Sequence, residues 1–483
     1  MKRRSSRLWR ACTTGLLGYA TLAHVGVAAA QTPPSEEEST AVVSASPVPA
    51  GNGLRGEFQF GSYGRVVVAS DLDGGAGKEV NVVSFGPRLQ EAPYLELDLA
   101  YALRTDTGAE FKTVITAALV NAMFHYDGDF DGQIALRNAF VEAAGFGVQG
   151  LSFWAGSRMY RGDDIYLLNF WPMDNLNTVG GGARYAFTQD MSLAVHFGAN
   201  RLDNRLQFQN VAVPAPTFGT ENRILNDRLR PMVSARWEHL FHEITDDVGM
   251  KYVLWGDFQR LGDGVTRDDN DVELELPTDT GYTVGAQVGA WGFTPNGFAN
   301  LFLRYSRGLS VAGELNIPTT GLARDRTYAN ATLVRLGTSF NAESRWVGVT
   351  GGAYMQWFSD ADDINYDRDD YAEGVFALRP AIFLTEHFHQ AFEISYQRRV
   401  PEGLSPRTDS YLEPAILQFG VMPTLSLGRG MYRRPVLRII YAVSLLNAGA
   451  RDLFPEGDAR HEASTQHFLG LGAEWWFNSS TYR

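Results

Sequence analysis

Between Trp154 and Tyr185 the chain concentrates residue types that could do chemistry: arginine, aspartate, asparagine and tryptophan, interrupted by Pro172. The segment begins with Trp154, Gly156, Arg158 and Tyr160 on one face of a strand-like alternation. It breaks into charged and aromatic sequence and returns through Gly180-Gly181-Gly182 to another strand. Exposed rings beside charged groups suit a path for sugars. A pyranose presents C–H groups on its faces, which contact aromatic rings, and hydroxyls on its rim, which exchange hydrogen bonds with Arg, Asp and Glu.

Other chemistry finds less support. His387, His389, His461 and His467 could serve as bases, but no Ser lies in a recognisable nucleophile motif. There is no Gly-rich phosphate loop and no helical His-x-x-x-His pair, so no enzyme and no cofactor is expected. Asp127, Asp129 and Asp131 have the spacing that begins a calcium loop, but the twelfth position is Asn138, not the bidentate Glu of an EF-hand. A polar hairpin is the simpler reading. Asp360, Asp362, Asp363, Asp367, Asp369 and Asp370 read as a solvated loop, with calcium binding the alternative.

The elements that must position such residues follow from the rest of the chain. Residues 1–30 read as an export signal, with Lys2, Arg3, Arg4, Arg7 and Arg10 ahead of the apolar run Leu16–Val27, and Ala28-Ala29-Ala30 as a cleavage site. Removing those five basic residues takes the formal charge from −13 to −18, which disfavours nucleic acid as a partner. The single cysteine, Cys12, lies inside the signal, so disulfide and thiolate chemistry are not expected. Pro and Gly between 31 and 56 read as a flexible periplasmic linker. No later stretch has the roughly 18 consecutive apolar residues of a spanning helix. Aromatic content is nevertheless 12%, with 50 glycines. An exported chain of this kind can still cross a membrane by closing a β-sheet on itself.

From Glu57 to Phe477 the pattern alternates. Glu57, Gln59, Gly61, Tyr63 and Arg65 oppose Phe58, Phe60, Val66 and Val68; Tyr94, Glu96 and Asp98 oppose Leu95, Leu97, Leu99 and Tyr101; Arg434, Val436 and Arg438 oppose Pro435, Leu437, Ile439, Tyr441 and Val443. Polar faces mixing rings with charges suit a watery lumen, and the opposite faces suit lipid. Residues 57–477, at roughly 23 per strand with its connections, predict an all-β fold: a transmembrane antiparallel barrel of about 18 strands with an inward-folded constriction loop. Long loops are expected at Asp263–Glu275, Pro318–Thr327, Asp360–Asp370 and Pro401–Thr408, and residues 478–483 form a short tail.

Several motifs resemble the maltoporin family of sugar-specific outer-membrane porins. Phe60-Gly-Ser-Tyr63-Gly-Arg65 is similar to its first-strand motif, and Arg88-Leu89 followed by Tyr94-Leu-Glu96-Leu to its second. Leu136-Arg137-Asn138-Ala139, Trp154-Ala-Gly156-x-Arg158-x-Tyr160, Arg434-Pro-x-Leu-Arg438 and Glu474-Trp-Trp476-Phe continue the match in order. The resemblance implies Tyr63, Tyr94 and Trp476 as stations of an aromatic slide, and Arg65, Arg88, Glu96, Arg137 and Asp164 as a hydrogen-bonding track. Trp171 would narrow the pore, and Phe130 would lie near a ring contributed across a subunit boundary. Gly162 stands where the family has a track Arg, with Arg161 one residue earlier, and Asn169 stands where it has Asp. Glu373 and Gly374 lie where it carries a Trp pair. The resemblance further implies passive carbohydrate diffusion through a homotrimer in the outer membrane of a Gram-negative bacterium. A general porin, a surface receptor or adhesin barrel, and a barrel enzyme are the rivals.

Overall fold

The computed structural model describes residues 49–50, 54–120, 133–200, 208–214, 220–226, 228–245, 247–267, 272–313, 327–359, 370–405, 408 and 410–478. The expected export signal, most of the expected linker, the segment Asp127–Gly132 with Phe130, most of Asp360–Asp370 and the end of the expected tail lie outside the described residues.

Eighteen strands form one closed antiparallel barrel. The first six are β1 (Leu54–Ser70), β2 (Tyr94–Thr105), β3 (Glu110–Val120), β4 (Gln133–Ala144), β5 (Leu151–Arg161) and β6 (Asn175–Ala186). The next six are β7 (Met191–Asn200), β8 (Arg230–Thr245), β9 (Val248–Leu261), β10 (Asp279–Trp291), β11 (Phe298–Gly308) and β12 (Thr332–Glu343). The last six are β13 (Val347–Ser359), β14 (Tyr371–Phe383), β15 (Phe388–Pro401), β16 (Ala415–Ser426), β17 (Val436–Leu446) and β18 (Thr465–Phe477). β1 starts three residues ahead of the expected Glu57. Each strand pairs with its neighbours in sequence, and β18 closes on β1 from Ser62↔Phe477 to Ser70↔Leu469. Closure leaves no unpaired sheet edge, the condition for sheet in hydrocarbon.

The alternation read from the sequence sets the two faces. Phe58, Phe60, Leu97, Leu99, Leu437 and Leu471 are exposed on the outside, while Tyr63, Arg65, Tyr94, Glu96, Asp98 and Glu474 are buried on the inside. One departure from strict alternation matters. β4 carries a bulge against β3, with Thr116 opposite Asn138 and Ala117 opposite Leu136. The extra residue is Arg137, and the bulge lets Arg137 and Asn138 both reach the interior, where their side chains meet Glu96 and Thr116.

Connections sort by length. Those at 106–109, 145–150, 187–190, 246–247, 292–297, 344–346, 384–387 and 427–435 lie at one rim. The longer ones, at 71–93, 121–132, 162–174, 201–229, 262–278, 309–331, 360–370, 402–414 and 447–464, join strands at the other. Of the long loops expected from the sequence, Asp263–Glu275 and Pro401–Thr408 are described in part there, while nearly all of Pro318–Thr327 and Asp360–Asp370 lies outside the described residues. A barrel of eighteen strands is too wide for wall side chains to fill. Among the described residues three connections fold inside, where the sequence led us to expect one. Segments 71–93 and 162–174 enter from the long-connection rim. Segment 427–435 enters from the other, placing Tyr432 against Phe298 and the Thr350 hydroxyl across the lumen.

Candidate functional site

The pairing of first and last strands builds the centre of the site. Register puts Tyr63 opposite Glu96 on one side and Trp476 on the other, and Arg65 opposite Tyr94 and Glu474. The three rings therefore form a row. Tyr63 lies 6.0 Å from Tyr94 and 6.4 Å from Trp476, the latter pair stacked at 18°. Tyr63 and Tyr94 are 0% exposed, whereas Trp476 keeps open surface.

Charges surround the row. Arg65 sits 5.3 Å over the Tyr94 ring, donates to the Ala92 carbonyl at 2.9 Å and to the Tyr63 hydroxyl at 3.2 Å. Arg88 comes from the inward segment, on the short 3-10 turn Arg88–Gln90. It donates to the Tyr63 hydroxyl at 2.7 Å and to Glu474 and Glu91 at 2.9 Å each. Burial lowers its pKa, but Glu91, Tyr63, Tyr166 and Glu474 outweigh that and hold it well above the usual guanidinium value. Glu96 accepts from the Tyr94 hydroxyl and from Arg137, each at 2.5 Å.

The segment 162–174 supplies the other expected residues. Arg161 ends β5, lies 3.9 Å over the Trp171 ring and donates to Asn175 at 2.6 Å. Trp171 is buried beneath it. Asp164 is buried too, with one carboxylate oxygen lacking a partner among the described residues. Burial pushes its pKa well above the usual carboxylate range, against the pull of Arg88. Burial and then Glu91 push Glu79, in segment 71–93, up to about 7.

Two departures from the family pattern have local reasons. A Cβ at Gly162 would lie 2.1 Å from Oδ1 of Asp174 and 2.7 Å from Nη1 of Arg236. Those two residues form an ion pair, so position 162 has no room for an arginine. Asn169 adopts a left-handed conformation (φ 49°) that closes the turn between Ile165 and Phe170, a conformation Asn tolerates well.

The residue that joins these parts is one the sequence reading passed over. Tyr166 donates its hydroxyl to Glu474 at 2.9 Å, and its ring lies 6.0 Å from Trp476 and 5.3 Å from Tyr432. Arg88 stacks 4.4 Å over it. Arg434 donates to Glu474 at 3.0 Å and to the Tyr166 hydroxyl, and lies 4.0 Å over Trp476. Arg438 also binds Glu474, so one carboxylate is shared by three guanidinium groups. Glu474 was findable, since it lies two residues before Trp476 and so shares its lumen-facing phase. Tyr166 lies in a segment without strand period, and no sequence signal singles it out.

A closed sheet with apolar residues outward and a charged, aromatic interior defines a transmembrane β-barrel of the channel class. The chain belongs to the LamB porin family, whose model matches residues 58–477. Among solved structures it is similar to OccD3 (OpdP) of Pseudomonas aeruginosa, at 10% identity over 90% of this chain and 93% of that one, with a TM-score of 0.42. It is also similar to the outer-membrane channel DcaP of Acinetobacter baumannii, at 9% identity over 87% and 97%, TM-score 0.41. OccAB1 of the same organism gives 8% identity over 87% and 96%, TM-score 0.44. No curated protein matches the chain.

Proposed function

We propose that this porin gives carbohydrates of the maltose and oligosaccharide type passive, selective diffusion across the outer membrane of a Gram-negative bacterium. In this reading the short-connection rim faces the periplasm, residues 1–30 direct export, and the barrel assembles as a homotrimer in lipid. The observation that supports it best is the row Tyr94, Tyr63 and Trp476, bordered by Arg65, Arg88, Arg434, Glu96 and Glu474. Trp476 offers ring surface for a pyranose face, and the Arg434 guanidinium stacked on it holds the place a sugar takes. Displaced, Arg434 still has Glu474 beside it. Each such contact is weak and replaceable, so a sugar moves on instead of staying bound. Arg137, Arg161 and Asp164 extend the polar border toward Trp171. Conduction needs no cofactor and no chemical step.

Sugar block of single-channel current tests this. Block should strengthen from glucose to maltose to longer oligomers. Trp476→Ala should weaken it about tenfold while ion conductance persists, the loss expected for one aromatic contact with its stacking. Absence of block by every sugar would overturn the reading. The burial of Tyr63 and Tyr94 favours a second reading, a less selective porin with a shortened slide. Liposome swelling would then slow with solute size alone, equally for sugars and non-sugars.

A further inference from the structure

A recess with about 40 Å³ of free space, open to solvent on one side, lies beside the ring row toward the short-connection rim, between β14–β17 and the inward segment 427–435. Arg379, Arg434, Arg438 and His389 line it together with Thr424 and apolar residues, and no carboxylate does. Arg379 gives Nε and Nη2 to one oxygen of Glu393, both at 2.7 Å, and Arg438 gives Nη2 to Glu474. Among the described residues, Nη1 of Arg379 and Nε and Nη1 of Arg438 carry no partner.

The second observation is independent of the arginines. His389, on β15, is 4% exposed, and its Nε2 has no hydrogen-bond partner among the described residues. The Phe383 edge packs on its ring 4.8 Å away. A buried polar atom left without a partner costs free energy unless a ligand or water satisfies it.

Arg65, Arg88, Arg379, Arg434 and Arg438 share Glu91, Glu393 and Glu474. Asp164 faces Arg88, and Glu343 stands at the rim of the recess near Gly430, held by Asn296, Asn341 and the Met431 amide.

We propose that this recess is a subsite for the anionic group, carboxylate or phosphate, of an acidic sugar. The inference rests on the lumen being a sugar path and names a substrate class for it. Guanidinium donors match the oxygens of either group, and charge-assisted bonds are about twice as strong as neutral ones. The sugar body then lies toward Trp476, with Arg434 between the two.

The test adds glucuronate, glucose 6-phosphate, glucose or maltose to the full-length protein in a planar bilayer at pH 7. At least one acidic sugar should block current at about tenfold lower concentration than glucose, a difference of one or two charge-assisted bonds. Which acid blocks more strongly identifies the group. Arg379→Gln and His389→Leu should each weaken the acid's block severalfold and leave glucose block unchanged. His389→Leu leaves no buried charge and removes the ring nitrogen, so it decides the matter if Arg379→Gln fails to fold. Equal block by acidic and neutral sugars, or acid block that survives both substitutions, overturns the proposal. Block by maltose without preference for the acids sinks the subsite alone, and block by an acid without maltose block sinks only the neutral-sugar slide.

Discussion

The two segments that enter from the long-connection rim, 71–93 and 162–174, meet where Phe85 stacks on Phe170 at 3.8 Å, yet different forces hold them. Segment 71–93 borrows most of its hydrogen bonds. The amides of Val82, Ser84 and Phe85 donate to the wall side chains Gln397, Glu373 and Tyr354 at 3.0 Å each, while that of Val80 donates to Gln90 of the same segment at 3.2 Å. Segment 162–174 makes its own. Ile165 donates to the Phe170 carbonyl at 2.7 Å and Leu168 to the Ile165 carbonyl at 2.9 Å, while Ile165, Leu167, Leu168 and Met173 are buried. Its ends are pinned by Asp163 to Lys251 and Asp174 to Arg236. Extended backbone inside a barrel must find polar partners somewhere. One segment is a strap sewn to the wall, the other an apolar knot.

Phe170→Ala is the strongest way to separate them. Phe170 touches Phe85 and Tyr354, and Arg335 lies 4.8 Å over its ring. Truncation should cost the knot about 3–5 kcal/mol of local stability. Amide exchange at 165–170 should accelerate strongly, with higher channel conductance, while Val80 and Val82 stay protected. If the strap amides exchange equally fast, knot and strap are one unit and the contrast fails.

The converse substitution is Gln397→Ala. Gln397 accepts from the Val82 amide at 3.0 Å and donates to the Val80 carbonyl at 3.1 Å and to Asn81 at 3.0 Å. Its loss leaves buried backbone groups unsatisfied, at about 1–3 kcal/mol. Exchange at Val80 and Val82 should rise and that at Ile165 should not. Unchanged exchange at Val82 would mean that another group holds the strap.

The same contrast explains what the sequence could convey. Strand phase depends only on neighbours two residues apart, so the lumen positions of Tyr63, Arg65, Tyr94, Glu96, Arg438 and Glu474 were readable, and with them the barrel and its strand number. Trp476 was readable only to the extent that phase held to the chain's last strand, and it did. The knot announced itself through its aromatic and charged composition. The strap, Val80-Asn81-Val82-Val83, reads as an ordinary apolar stretch, because its anchors Glu373 and Gln397 lie about 300 residues away in sequence. Glu373 was noted as a departure from the family's Trp pair, and in the fold it binds the Ser84 amide and the Tyr354 hydroxyl, each at 3.0 Å. Segment 427–435 entered no sequence expectation as an inward element, since Gly428–Arg434 carries the composition of any turn. Long-range partners, not local pattern, decide which connections fold in.

The smallest effect belongs to the outer end of the strap. Asp458 receives Lys78 at 3.1 Å, and Arg460 donates to it from Nε and Nη2 at 3.0 Å each while its Nη1 holds the Glu79 carbonyl at 2.9 Å. The Arg460 hydrogen bond, aided by Lys78 and opposed by partial burial, holds the Asp458 carboxyl well below the usual carboxylate range. A depressed carboxyl contributes stability that is complete above the ordinary carboxylate pKa and is lost only as pH falls through the depressed value. The clip should therefore persist at pH 4. Asp458→Asn keeps the helix cap over Ala459–Glu462 and removes only the charge, at about 0.2–1 kcal/mol for so exposed a network. Exchange at Glu79 and Val80 should be modestly faster in the variant, by the same factor at pH 7 and pH 4. Comparing the two proteins at each pH cancels the titration of Glu79 itself, which burial has moved up to about 7. If the difference disappears at pH 4, Asp458 is not held low, and the strap's outer end rests on backbone contacts instead of charge.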